Sequence, residues 1–312
     1  MARSSAARVF VLSFVALAAM LTSVGLDWPL VVFHLLSMFI LLTVMSRLVA
    51  EAGVVYVYAA IFPCALSVGF FGPWTLGVKS FLLLAIVTSA LVVETSHTFM
   101  PFAVTANKLL EAGHARIGRG ALIAAGVVVL ALAVSLPVTL YWQYDRGALN
   151  AGHGWNIYAA PKYAYNEAVT MRTKLEAQGV LDTAGSVHGW RLLTHMRPNG
   201  ARMASFAIMF ALTAGCAFAR FRWPWWPFHP AMFLIVGTWQ SSILAFSFLV
   251  GWATKLVATK FGGQRACQEM KPFIFGLVSG EMLAGVLLAI HGVCYYFATG
   301  TPPKLYNIFD SW

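Results

Sequence analysis

Long apolar runs, each closed by a charge, a proline or a glycine, set the rhythm of this chain. A segment that crosses a bilayer needs about 20 apolar residues. Eight stretches approach that length: 9–26, 28–47, 53–71, 78–100, 120–144, 202–219, 230–252 and 272–297. Lipid leaves backbone groups no water to bond, so such runs fold as helices. The pattern predicts an all-α polytopic transmembrane bundle of about seven or eight spans.

The third stretch, 53–71, is the irregular one. It is short, carries Pro63 near its middle and is flanked by Gly53 and Gly72. It reads either as a Pro-kinked span or as a broken, re-entrant segment. Interrupted segments of the second kind mark binding sites in transporters. Between spans five and six lies a long polar stretch, 145–200, expected outside the membrane. Within it, YNEAVTMRTKLEAQG predicts a surface helix that stops at Gly179. The Trp- and Tyr-rich GHGWNIYAAPKY just before it suits the membrane interface. We expect one transmembrane domain over 1–312 with this single insert.

Composition agrees with lipid as the main solvent. Of 312 residues, 60% are hydrophobic and 10% charged, with mean hydropathy +0.75. A soluble domain carries about 25% charged residues. The net charge of +10 fits Lys and Arg at helix ends meeting anionic headgroups. No basic run interleaved with aromatics suits nucleic acid, so lipid is the expected contact and nucleic acid is not. Cys64, Cys216, Cys267 and Cys294 are scattered without CxxC spacing, which supports neither a disulfide framework nor a metal knuckle. The N-terminal run continues without a clear small-residue cleavage site and reads as a retained first helix. Span count and orientation stay open, because the loop with Lys255, Lys260, Arg265 and Lys271 opposes the positive-inside pattern of an eight-span chain.

Ionisable residues inside apolar helices are functional candidates by default. Arg47 and Glu51 stand four apart in SRLVAEAG, close enough to pair. Their role is a gate or a proton-coupled carboxylate, or simply an ion pair at the entry to the broken segment. Glu94 and His97 share a face of span four and could relay protons; alternatively, His97 marks the interface where Met100 and Pro101 end the helix. Gln240, Ser247, Gly251 and Lys255 form one stripe on span seven, suited to a polar pathway or to helix packing. Span eight opens at Pro272 and carries the small-residue stripe Gly276, Gly280 and Ala284. Glu281 lies inside that helix with no charged neighbour three or four residues away. Its partner must come from elsewhere, with Lys255 and Lys271 as candidates. There is no GxSxG, HExxH or Walker A pattern, so the chain reads as a non-enzyme with no cofactor and no metal.

Several motifs recur in order: RLVAEAG, YWQYDRGAL, WPWWPFHP, GWATK, FGG and PFIFGLVSGE. Together they resemble an uncharacterised family of large bacterial polytopic membrane proteins, distantly similar to the oligopeptide transporter (OPT) superfamily. The resemblance runs from the first helix to Glu281, with Arg47, Glu51, Gly53, Lys255 and Glu281 on motif positions. Members of that family are about twice as long, and this chain is similar to their C-terminal half. The resemblance implies a half-transporter in the bacterial inner membrane. It would move a small organic solute or peptide on an ion or proton gradient. A second membrane subunit carrying the missing half, or a second copy of the chain, would complete the pathway. The alternative is a non-catalytic accessory or scaffold subunit of a larger membrane complex.

Overall fold

A computed structural model describes residues 2–52, 57–58, 61–93, 98–112, 117–147 and 158–301. All regular structure among them is helical. Five of the helices are long and apolar enough to cross a membrane: Trp28–Glu51, Pro73–Val92, Leu122–Asp145, Gly200–Arg222 and Ser241–Thr299. That is compatible with a multi-pass membrane protein. The chain divides into two compact units, Met1–Ser242 and Ile243–Trp312.

The first unit is built on α1 (Ala2–Ser23) and α2 (Trp28–Ala52). Pro29 sits in the opening turn of α2, where the missing N–H breaks no helical bond. The irregular third stretch yields α3 (Pro63–Phe71), only nine residues long. At 1.5 Å per residue it measures about 13 Å, less than half of a ~30 Å hydrocarbon core. Its proline stands at the first helical position, so it starts the helix rather than kinking it. Gly72, at φ 84° and ψ 153°, ends α3 and lets α4 (Pro73–Thr88) turn away. A side chain at Gly72 would collide with the Arg197 carbonyl. The first turn of α4 is offset from the rest at Gly77, φ 70°. The helix then loosens into a π-turn, Ser89–Val93.

Span four was expected to run to Met100. Instead a new helix, α5 (Phe99–Ala112), begins there. Pro101 falls in its first turn, a position that tolerates proline at a start as readily as proline marks an end. A long apolar helix follows, α6 (Ile117–Arg146), none of whose apolar window is buried within the protein.

The polar insert is more than a surface flap. Its helix α7 (Ala160–Ala177) buries Ala164, Ala168, Met171 and Leu175. This one-sided stripe joins a core with Leu30, Val31 and Leu35 of α2 and Phe81, Leu84 and Ala85 of α4. The two alanines permit close approach. Burying Met171 and Leu175 is worth roughly 1.5–3 kcal/mol each against water. Beyond α7 a strap runs over residues 178–199, with a short α8 (Arg191–Thr194). It is tied to the α3–α4 junction. Gly185 N–H donates to the Trp74 carbonyl at 2.9 Å and Arg197 N–H to the Phe71 carbonyl at 3.1 Å. Trp74 Nε1 donates to Thr183 Oγ1 at 3.0 Å, and the Arg197 guanidinium lies 4.2 Å over the Trp74 ring.

The strap hands over to α9 (Gly200–Arg222), whose N-cap Asn199 accepts from Arg202 N–H at 3.1 Å. The WPWWPFHP block then breaks the helix. Trp226 folds back, with Nε1 3.4 Å from Cys216 Sγ and its ring 6.0 Å from Phe228. A single turn, α10 (Met232–Ile235), follows. The next long helix, α11 (Trp239–Thr299), starts nine residues later than the expected Pro230. The three prolines of the block and Gly237, φ 84°, interrupt helical geometry on either side of α10.

The second unit is the body of α11. A loop was expected between 252 and 272; the chain stays helical there except at Gly263, φ 66°. Gly263 takes the bend that Pro272 was expected to mark, and Pro272 falls inside the helical stretch.

Candidate functional site

The sequence candidates fall in three places. Arg47 and Glu51 are the pair that the structure brings together, with Arg47 Nε 2.7 Å from Glu51 Oε1. Both remain mostly exposed, at 78% and 59%, so the pair is solvent-screened and adds little stability. Lys108 of α5 crosses to donate to the Ala50 carbonyl at 2.6 Å, satisfying a C-terminal backbone group of α2. Around them is a cleft of about 400 Å³ lined by Thr43, Ser46, Arg47, Glu51, Lys108 and Glu111 among others. It offers two cations and two carboxylates within one opening.

Glu94, His97 and Gly53 lie outside the described residues. Gln240 is the second residue of α11, and its side chain also lies outside them. Lys255 and Glu281 are exposed on the second unit, and no hydrogen bond or ion pair joins Glu281 to Lys255 or Lys271 among the described residues. Gly276, Gly280 and Ala284 are exposed on the same helix, and no residue of their own unit covers the two glycines.

A second constellation, absent from the sequence candidates, sits inside the first unit. His34 of α2 is fully buried, at 0% exposure. Its Nδ1 lies 3.5 Å from Ser67 Oγ of α3, and its Nε2 lies 3.4 Å from Thr88 Oγ1 at the end of α4. Each hydroxyl also donates along its own helix, Ser67 to the Pro63 carbonyl at 3.1 Å and Thr88 to the Leu84 carbonyl at 2.9 Å. The string continues outward through the Cys64 thiol, which reaches both Thr88 and Tyr163 of α7. Glu167 of α7 and Arg202 of α9 are charged groups whose fields reach Tyr163.

Four elements thus meet at one polar thread in an otherwise apolar core. Each hydroxyl has one hydrogen, already given to a carbonyl, and offers the ring only lone pairs. A neutral imidazole has one N–H and satisfies one of them as it stands. The other hydroxyl must turn its hydrogen onto the ring, or the ring must carry two protons. The arrangement can therefore exchange one hydrogen between backbone and imidazole without moving a helix. No buried side-chain N or O among the described residues is left without a partner. The π-turn that follows Thr88 belongs to a class of distortion often found at functional sites.

One signal could have found His34. It is an ionisable residue in the middle of an apolar helix, the criterion that selected Glu94 and Glu281. Ser67, Thr88 and Cys64 carried no such signal, because small polar residues are ordinary in apolar helices. At the opposite side, Asp27 receives Gly189 N–H at 3.0 Å and lies 3.0 Å from His188 Nδ1, which locks the α1–α2 turn to the strap. Among the described residues no group of three or more His, Cys, Asp or Glu is placed to hold a metal.

No curated protein and no solved structure matches the chain. A family of unknown function, DUF6785, matches residues 1–301, which is nearly all of it. The chain therefore belongs to the DUF6785 family, whose function is unknown.

Proposed function

We propose that this chain is a secondary-transporter-like integral membrane protein. It would move a small organic solute or peptide on a proton or ion gradient. The observation that carries this reading is α3, a nine-residue helix that packs its middle residue, Ser67, against a buried histidine. Discontinuous helices line the transport sites of many secondary transporters. On this reading 53–71 is re-entrant. Counting α11 as two crossings about Gly263, and adding the shorter apolar helix α1, the chain makes about seven passes. The motif resemblance to OPT-like proteins and to a bacterial inner-membrane setting supports the same class.

The cleft at Arg47, Glu51, Lys108 and Glu111 matches a zwitterion, whose two charges need opposite partners. His34 joins Glu281, Glu94 and Glu51 as a coupling candidate. The test uses vesicles holding the purified protein and an internal pH dye, challenged with alanine dipeptide and tripeptide. Solute-dependent internal acidification, weakened by Arg47→Ala and by His34→Gln, is the expected result. Acidification no greater than in protein-free vesicles, across a panel of peptides and amino acids, refutes the reading.

A second reading has its own observation. Gly276 and Gly280 are uncovered by their own unit, and such stripes admit a second backbone. The chain would then be an accessory subunit held to a second membrane protein or to another copy. Gentle solubilisation decides this: a partner recovered at fixed stoichiometry, and lost in Gly276→Leu, supports it.

A further inference from the structure

Helix α7 and helix α4 run side by side in opposite directions. At one end Tyr163 of α7 meets Cys64, which in turn meets Thr88 at the end of α4. At the other, the chain just beyond α7 meets the start of α4, with Thr183 on Trp74 and Gly185 against Gly77. Between these ends Ala164, Ala168, Met171 and Leu175 face Phe81, Leu84 and Ala85 in one core. The 18 residues of α7 measure about 27 Å, and residues 78–92, beyond the offset at Gly77, about 22 Å. Helix α4 carries one charge, the exposed Lys79 near its start, and is otherwise apolar enough to have the hydropathy of a spanning segment. If it crosses the hydrocarbon core, α7 lies at the same depth over nearly the same distance.

The outer face of α7 is unlike a lipid-facing surface. Lys162, Asn166, Glu167, Arg172, Lys174 and Glu176 are all exposed on it. Charged side chains at membrane depth face a bundle interior or a water-filled cavity, because hydrocarbon offers them no partner. A lipid-facing helix such as α6 shows the contrast, with Leu122, Val129 and Leu136 exposed. The face carries both signs, Lys162, Arg172 and Lys174 against Glu167 and Glu176, so it does not present the one-signed patch that a strongly charged partner would match. Water suits it.

We infer that the polar face of α7 lines a water-filled pathway that enters the membrane alongside α4. The thread to His34 comes nearest this face at Tyr163, which is half-buried on α7. The inference rests on α4 crossing the membrane and not on the transport reading. A pathway could be wet in a protein that moves nothing, and the experiment below needs no solute.

The test places a nitroxide label at one position at a time in bilayer-reconstituted protein. Cys267→Ser and Cys294→Ser remove the more accessible native thiols, and that parent sets the background. Asn166→Cys and Thr173→Cys report on α7. Ile86→Cys, exposed on α4 at 37%, reports on α4 near the level of Asn166, and Val129→Cys reports on α6. Collision with a water-soluble nickel chelate is compared with collision with oxygen, which concentrates in lipid. The expected result is a several-fold higher nickel-to-oxygen ratio at Asn166 and Thr173 than at Ile86 and Val129. Two outcomes overturn the inference. Nickel exclusion at both α7 positions means that protein or lipid covers the face. Nickel access at Ile86 equal to that at Asn166 means that α4 lies outside the hydrocarbon.

Discussion

Replacing Gly72 by alanine should release the strap from the α3–α4 junction. A Cβ at this position would stand 2.1 Å from the Arg197 carbonyl oxygen, where ordinary contacts begin near 3.4 Å. The obstacle is backbone, so the strap must retreat by more than 1 Å. Retreat forfeits the 3.1 Å bond from Arg197 N–H to the Phe71 carbonyl, worth about 1 kcal/mol. It also forfeits the Arg197 stack on Trp74, worth roughly 0.5–1 kcal/mol. The sum, about 1.5–2 kcal/mol, raises the open population about 10- to 30-fold. Trypsin cleavage after Arg191 in detergent-solubilised protein reads that population when reclosing outpaces cleavage. Gly237→Ala is the matched control. It shares φ 84° but has no neighbour within 4 Å of the added Cβ, and it lies outside the strap. Both variants should lower thermal stability through backbone strain of roughly 1–3 kcal/mol. Only Gly72→Ala should speed cleavage. Cleavage of Gly72→Ala at the parent rate, or equal acceleration by Gly237→Ala, refutes the packing argument.

Three further outcomes follow from the same contacts. Asp27→Ala removes the acceptor for Gly189 N–H and the partner of His188; at roughly 0.5–1.5 kcal/mol per bond it should also accelerate strap cleavage, with unchanged cleavage counting against the latch. His34→Ala empties a fully buried site and should cost roughly 2–4 kcal/mol, seen as a lower thermal midpoint; His34→Gln, nearer in volume and able to bond both hydroxyls, should recover part of it. Ala168→Leu forces extra volume between α7 and α4 and should cost roughly 1–3 kcal/mol, whereas Thr170→Leu, on the exposed face, should leave the midpoint nearly unchanged.

Much of the helical framework was legible because apolar run length is a one-dimensional property. The runs at 28–47, 120–144 and 202–219 returned as α2, α6 and α9, with ends within a few residues of the charges and prolines that flank them. Where punctuation has two physical uses, the reading went astray. Pro101 was taken to close a helix and opens one; Pro272 was taken to open one and sits inside one, because Gly263 supplies the bend. The two readings offered for 53–71 differed in the work given to Pro63, and its place at the first position of a nine-residue helix sets it apart from a mid-span kink.

Side-chain company is a different kind of information. The pairing of Arg47 with Glu51 was readable, since four residues on a helix fix the neighbour. His34, Ser67, Thr88, Cys64 and Tyr163 come from four helices, and no local spacing relates them. The same holds for α7. Its sequence marks a helix with charged residues and predicts a surface. Only packing shows that one stripe, Ala164 to Leu175, matches the face of α4 and draws the helix against a membrane-length partner. The sequence alone thus determined apolar run length, helix content and the local charge pairs, because those depend on neighbours within a turn or a run. The tertiary structure decided which polar groups are buried together and which polar face lies beside an apolar helix of membrane length, because those depend on how distant helices share one core.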